Sequence, residues 1–249
     1  MEPKIVYEDE ELLIIDKPTG LVVNRAATVA RETLQDWMEK KFSIFNFQFS
    51  NKDGREFVMR RGLVHRLDKE TSGVMVLAKN PLSFQKLKDQ FKKRKVEKEY
   101  LALVHGKLEP QQGNINLPLS RNPQNRKRFT VRLGGRRALT FYKVEKHLKK
   151  NGTWFSLVKL IPKSGRTHQL RVHLKYIGHP MVSDPLYLSK KQLREDLTWC
   201  PRLFLHAAKL CFLHPVKEEK VCFQATLPIK LKASIMSQLE YPKRLSEGY

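Results

Sequence analysis

The chain has 249 residues, 41% of them hydrophobic and 29% charged, with 48 Lys and Arg against 25 Asp and Glu for a net charge of +23; this is a globular composition, which excludes a disordered chain, and the positive excess points to nucleic acid as partner. No apolar run approaches the ~18 residues needed to span a bilayer, no strongly amphipathic interfacial stretch is present, and the first residues are acidic without an apolar signal core, so a cytoplasmic protein with no membrane association is expected. Cys200, Cys211 and Cys222 are odd in number and lack CxxC spacing, which predicts reduced, half-buried thiols in place of a disulfide framework or zinc knuckle.

In chain order, Lys4–Val23 reads as two strands, IVYED and ELLIID, a Pro18-Thr19-Gly20 turn and a third apolar run, LVV, together an antiparallel meander. Leu34, Trp37, Met38 and Phe42 fall at helical spacing, predicting a helix over 30–42, and the roughly fourteen polar residues after it read as a loop. Val74–Ala78 suits a buried strand, and Asn80-Pro81 opens a helix over 82–91 on Phe84, Leu87 and Phe91. The helix ends in the basic run Lys92–Lys95, placed favourably for the helix dipole or along an RNA path. Lys98–Val104 is strand-like, Arg128–Leu133 and Ala138–Val144 flank Gly134-Gly135 as an expected hairpin, and Thr153–Ile161 continues in strand character. Leu170, Leu174 and Ile177 mark a helix stopping at Gly178. Strands over Ala207–His214 and Lys220–Leu227 precede a last helix from Lys230 to Leu239. With no repeat, low-complexity tract or linker, the reading is one α+β domain over 1–249, dominated by antiparallel strands with helices on the sheet.

The densest chemistry lies in Gly62-Leu63-Val64-His65-Arg66-Leu67-Asp68-Lys69-Glu70-Thr71-Ser72-Gly73, between two apolar runs. Asp68 either caps a turn there or is held by the bend at Thr71-Ser72-Gly73 at the lip of a cleft. A second cluster, Lys163 to His173, resembles a helix N-terminus; if the helix starts near Thr167, His168, Arg171 and Lys175 share one face. An Arg there can pair with Asp68 and keep a buried carboxylate ionised, as a structural ion pair or as a catalytic one. His168 and His173 are five apart and so lie on different helix faces with no third ligand indicated; no metal site is expected.

His65-Arg66-Leu67-Asp68 with Thr71-Ser72-Gly73 resembles the HRLD signature of the RluA-type RNA pseudouridine synthases. Lys17-Pro18-Thr19-Gly20-Leu21-Val22-Val23 resembles the family's opening motif, Lys98-Glu99-Tyr100 its tyrosine motif, and Gly165-Arg166-Thr167-His168-Gln169-Leu170-Arg171-Val172-His173 its third. Gly178-His179-Pro180 with Asp184, and Leu205-His206-Ala207, fit as well, so the likeness runs from about Ile5 to Leu227. By that resemblance Asp68, Tyr100 and Arg171 are the catalytic residues, with Arg171 paired to the aspartate, and Arg66 contacts RNA and fills the space of an extruded base. His65, Lys98, Arg166 and His168, in the same motifs, join Arg66 as expected RNA contacts. The implied fold is a mixed, mainly antiparallel sheet with flanking helices and a central RNA-binding cleft. The implied reaction isomerises uridine in ribosomal or transfer RNA after base flipping, without metal or cofactor. The chain starts almost at the catalytic region, leaving no room for the small ribosomal-protein-like RNA-binding appendage of many relatives. Recognition would then rest on basic segments such as Lys92–Lys95 and Arg121 with Arg126–Arg128, in a monomer. A non-catalytic RNA-binding or ribosome-assembly protein on the same fold is the alternative.

Overall fold

A computed structural model describes residues 2–27, 29–43, 49 and 51–236, and the chain divides into two compact units, Met1–Lys98 with Ala207–Thr226 and Glu99–His206 with Leu227–Tyr249.

The first unit opens with β1 (Lys4–Glu8) and β2 (Leu12–Lys17), antiparallel, with Lys4 opposite Asp16 and Glu8 opposite Leu13. Asp9 closes the turn between them, its Oδ1 accepting from the N–H groups of Glu11 and Leu12 at 2.8 Å each. The LVV run is not a third strand. Gly20, at φ 87, turns the chain away, and the carbonyls of Val22 and Val23 accept from Leu34 and Gln35, the first N–H groups of helix α1 (Leu34–Lys41). Thr33 and Asp36 cap α1 reciprocally, which starts the helix four residues later than the apolar spacing alone implies. The stretch read as a loop contains a second helix, α2 (Lys52–Arg60), capped by Asn51; with Phe57 and Gly54 as its buried residues, its sequence is too polar to betray it. Residues 44–48 and 50 of that stretch lie outside the described residues. The neighbour of β2 is β3 (Ser72–Ala78), paired antiparallel from Leu12–Ala78 to Lys17–Gly73 and buried at all seven positions. Helix α3 (Pro81–Lys92), capped by Asn80, follows as expected.

In the second unit run β4 (Glu97–His105, its first two residues in the first unit), β5 (Gln112–Asn116), β6 (Leu119–Arg121), β7 (Phe129–Val131), β8 (Leu139–Lys150), β9 (Thr153–Pro162), α4 (Gln169–Tyr176) and α5 (Lys190–Leu197). The sheet order is β4-β9-β8-β5, with antiparallel pairing throughout. The hairpin expected across Gly134-Gly135 does not form: β7 pairs with β6, and β8 pairs with β5 and β9. Leu119–Arg121 is too short and polar to announce itself as the true partner, and Gly135 serves a close approach instead, since a Cβ there would lie 2.7 Å from the Leu119 backbone. Both faces of this sheet are covered. Ala102 and Val104 pack with Val158, Leu160, Leu170 and Leu174 of β9 and α4, while Leu103 between them packs with Phe155, Trp199, Phe204 and Leu231. That alternation is the period of two a strand imposes.

The chain then runs through β10 (Leu205–Leu213) and β11 (Lys220–Gln224) to α6 (Ile229–Met236). In the first unit β10 lies beside β3 and pairs antiparallel with β11. Cys211 stands opposite Cys222 in that register and the two form a disulfide with Cα atoms 4.1 Å apart, which overturns the expectation of reduced thiols; Cys200 is a free, buried thiol. Residues 237–239 of the expected last helix lie outside the described residues. No helix among the described residues is long and apolar enough to cross a membrane.

Candidate active site

In the first unit Asp68 sits on a short irregular segment between an isolated Leu63–Leu77 bridge and the start of β3. Leu63, Val64 and Leu67 are buried, Arg66 is exposed and Asp68 is half-buried, so the apolar residues anchor the segment. Its backbone is held from the side by the turn after β2. The buried Lys17 donates through Nζ to the carbonyls of Pro18 at 2.8 Å, Leu21 at 2.9 Å and Lys69 at 3.3 Å. Gly20 N–H donates to the Lys69 carbonyl at 2.7 Å, Thr19 Oγ1 donates to that of Glu70 at 2.7 Å, and Thr71 N–H donates to that of Asp68 at 3.1 Å. The Lys17-Pro18-Thr19-Gly20 motif is thus a clamp on the Asp68 loop, a role that sequence reasoning missed because the two segments are some fifty residues apart. Beyond the loop, Gly73 at φ 125 admits no side chain: a Cβ would lie 2.2 Å from the Ala207 carbonyl oxygen of β10.

His65 is turned into this unit. The Val76 N–H donates to its Nε2 at 3.1 Å, and its ring stacks on Phe91 with centroids 4.5 Å apart. Burial of that ring, followed by the positive charges of Lys98 and Arg60, lowers its pKa to about 3. A ring that accepts at Nε2 and titrates so low is neutral at pH 7, with its proton on Nδ1.

Tyr100 and Arg171 belong to the second unit. Tyr100 lies on β4 opposite Leu160 of β9, partly buried against the core below α4. Arg171, 1% exposed, projects from α4 and makes a bidentate ion pair with Asp184, Nε to Oδ2 at 2.8 Å and Nη2 to Oδ1 at 2.6 Å. Asp184 is fixed in turn: Oδ1 also accepts from the N–H groups of Leu186 at 2.9 Å and Tyr187 at 3.2 Å. The Tyr187 ring lies 5.2 Å from the Arg171 guanidinium. Asp184 is therefore a functional candidate: the family likeness included it beside Gly178-His179-Pro180, but its ion-pairing role was not assigned from sequence.

His168 is not on the helical face expected of it. It is the residue before α4, in the left-handed conformation at φ 54, with Nδ1 2.9 Å from Tyr187 Oη and its ring edge-on to Phe129 and Tyr187. Arg166 is half-buried, its backbone N–H donating to Gln169 Oε1 at 3.1 Å and its Nε to the Arg137 carbonyl at 3.4 Å. His173 is fully buried between Thr140 Oγ1 at 2.9 Å and the Leu117 carbonyl at 3.1 Å, and burial lowers its pKa. It is a structural residue, and no group of His, Cys, Asp and Glu among the described residues is arranged to hold a metal.

A sequence profile described as RNA pseudouridylate synthase matches residues 11–176. Ribosomal large subunit pseudouridine synthase D of Buchnera aphidicola subsp. Baizongia pistaciae is 38% identical over 232 residues, covering 90% of this chain and 68% of that protein. The tRNA pseudouridine synthase C of Haemophilus ducreyi is 37% identical over 237 residues, covering 91% of this chain and 92% of its own length. Among solved structures, human RNA pseudouridylate synthase domain containing 1 superposes with a TM-score of 0.73 at 28% identity, covering 96% of this chain and 89% of that one.

Proposed function

The chain belongs to the RNA pseudouridylate synthase family, and from that premise we propose that it converts specific uridines of ribosomal or transfer RNA to pseudouridine with Asp68 as the catalytic carboxylate. The observation that carries the proposal is the Asp68 loop itself, a half-buried carboxylate on a backbone fixed by Lys17, Thr19 and Gly20. The two relatives above are named for ribosomal and transfer RNA, which supports those substrate classes.

In the reaction the bond from ribose C1′ to uracil N1 breaks, the base turns, C1′ bonds to C5, and the proton displaced from C5 is balanced by the one gained at N1. Bond cleavage leaves C1′ electron-deficient, as in glycoside hydrolysis, and the Asp68 carboxylate serves either as nucleophile at C1′ or as base toward the neighbouring sugar carbon. Nothing is oxidised or reduced, so the chemistry calls for no redox cofactor. Tyr100 offers a flat ring for the flipped uracil and a hydroxyl to pass a proton. Arg171, held rigid by Asp184, supplies fixed positive charge. The exposed Arg66 and the half-buried Lys98, Arg166 and His168 supply RNA contacts, while His65, neutral, half-buried and stacked on Phe91, acts through the shape it gives the loop. The working form is a cytoplasmic monomer.

The test is to map pseudouridine in total RNA from cells lacking the gene and from the same cells given wild-type or Asp68→Asn protein. One or a few sites disappear and return only with wild type. No lost site, or full rescue by Asp68→Asn, would sink the proposal and favour a non-catalytic RNA-binding protein.

A further inference from the structure

The second unit holds a pocket of about 170 Å³ between the β6–β7 hairpin and α4, lined among others by Arg128, Val131, Val172, Lys175, Tyr176 and Tyr187. None of its described lining residues is acidic. Its chemistry is that of a nucleotide site: two cations, an aromatic ring that is 61% exposed at Tyr176, and an apolar floor from Val131 and the buried Val172. Isolated exposed tyrosines are ordinary, but one beside two cations over an apolar floor matches the stacking-plus-phosphate recognition of single-stranded nucleic acid. A second observation points the same way. Arg128 lines the pocket, and its Nε is buried with no hydrogen-bond partner among the described residues, so the side chain carries an unmet donor.

The pocket is built firmly. Asn122 Oδ1 accepts from Gln124 and Asn125 N–H at 2.9 and 3.2 Å, which shapes the hairpin tip, and the Phe129 N–H donates to Tyr187 Oη at 2.9 Å, which ties β7 to the pocket wall. The Tyr187 ring lies 5.8 Å from Lys175 Nζ and 5.2 Å from the Arg171 guanidinium, so one wall is shared with the candidate catalytic arginine.

We propose that this pocket binds one unpaired nucleotide of the RNA other than the one that reacts, with its base on Tyr176 and its phosphate on Arg128 and Lys175. The proposal deepens the pseudouridine synthase reading and rests on it for the choice of RNA as ligand. It is tested with the full chain carrying Asp68→Asn and a single-stranded oligouridylate, by measuring affinity against salt and mapping ultraviolet cross-links to peptides. The cross-link falls on Tyr176, and the Arg128→Ala, Lys175→Ala double variant binds about tenfold more weakly with a log–log salt slope shallower by roughly one. Tyr176→Ala, at an exposed position that the fold does not need, loses the cross-link. Unchanged affinity and slope in the double variant, or no cross-link at the pocket, overturns the proposal. The two readings separate cleanly: wild type that restores pseudouridine in cells while the double variant binds oligouridylate normally removes the pocket alone. Pocket binding by a protein that restores no pseudouridine removes catalysis alone.

Discussion

A guanidinium as enclosed as that of Arg171 has given up nearly all its hydration, and only a partner of fixed geometry offsets that cost. Asp184 does so with two hydrogen bonds to the arginine while accepting two backbone N–H groups. Asp184→Ala takes a bidentate partner from the buried guanidinium and leaves two N–H groups without their acceptor, and urea unfolding is expected to show a loss of about 3–5 kcal/mol; a loss below about 1 kcal/mol, typical of surface pairs, would mean that the pair is not the support of Arg171. His65 makes a pH prediction. Its folded pKa of about 3 lies below the ordinary 6.5, so the unfolded chain binds its proton more readily between those values. The stabilisation is complete above pH 6.5 and is lost as pH falls toward 3. Thermal unfolding from pH 7 to 5 should therefore show a steeper decline in the wild type than in His65→Gln; equal slopes would contradict the buried neutral ring. At this scale the sequence placed Asp68, Tyr100 and Arg171 in their motifs, but neither the inward turn of His65 nor the Arg171–Asp184 pair was legible. Both depend on partners, Val76, Phe91 and Asp184, that only the fold brings near.

Among the elements, β2, β3, α3, β4, β9 and β10 were legible because buried strands and amphipathic helices write their period into the sequence. The failures have physical causes too. α2 is polar along most of its length, the Gly134-Gly135 turn signal is local and does not choose between β6 and β8 as partner of β7, and a cysteine pair is invisible until strand register is known. Register also governs Gly73, the first residue of β3 paired with β2, opposite Lys17. Gly73→Ala forces a Cβ against the Ala207 carbonyl in a backbone conformation that L residues avoid. A cost of about 2 kcal/mol or more is expected in chemical denaturation, together with a loss of modifying activity larger than stability alone explains, since the residue sits at the exit of the Asp68 loop. Full activity at wild-type stability would show that the close packing there is dispensable.

The molecule as a whole carries +23, and that excess governs how it meets RNA. If six or more phosphates are neutralised, affinity of the Asp68→Asn protein for total transfer RNA falls about a thousandfold or more between 50 and 200 mM salt; filter binding that changes less than about tenfold would assign the charge to something other than RNA contact. The α+β class and antiparallel character were readable from the sequence, whereas the two-unit division was not, because two of its three boundaries fall inside strands β4 and β10 and no linker marks them. That division has a consequence for synthesis. The first unit is completed only by Ala207–Thr226, so β3 waits for its β10 neighbour while the ribosome adds about 115 residues beyond Lys98, to Leu213, an interval of roughly 6 to 23 seconds at elongation rates of about 5–20 residues per second. A nascent chain stalled before Ala207 already contains Asp68, Tyr100 and Arg171, yet it lacks the strand against which Gly73 is fitted, so translation itself sets when the carboxylate loop is finished.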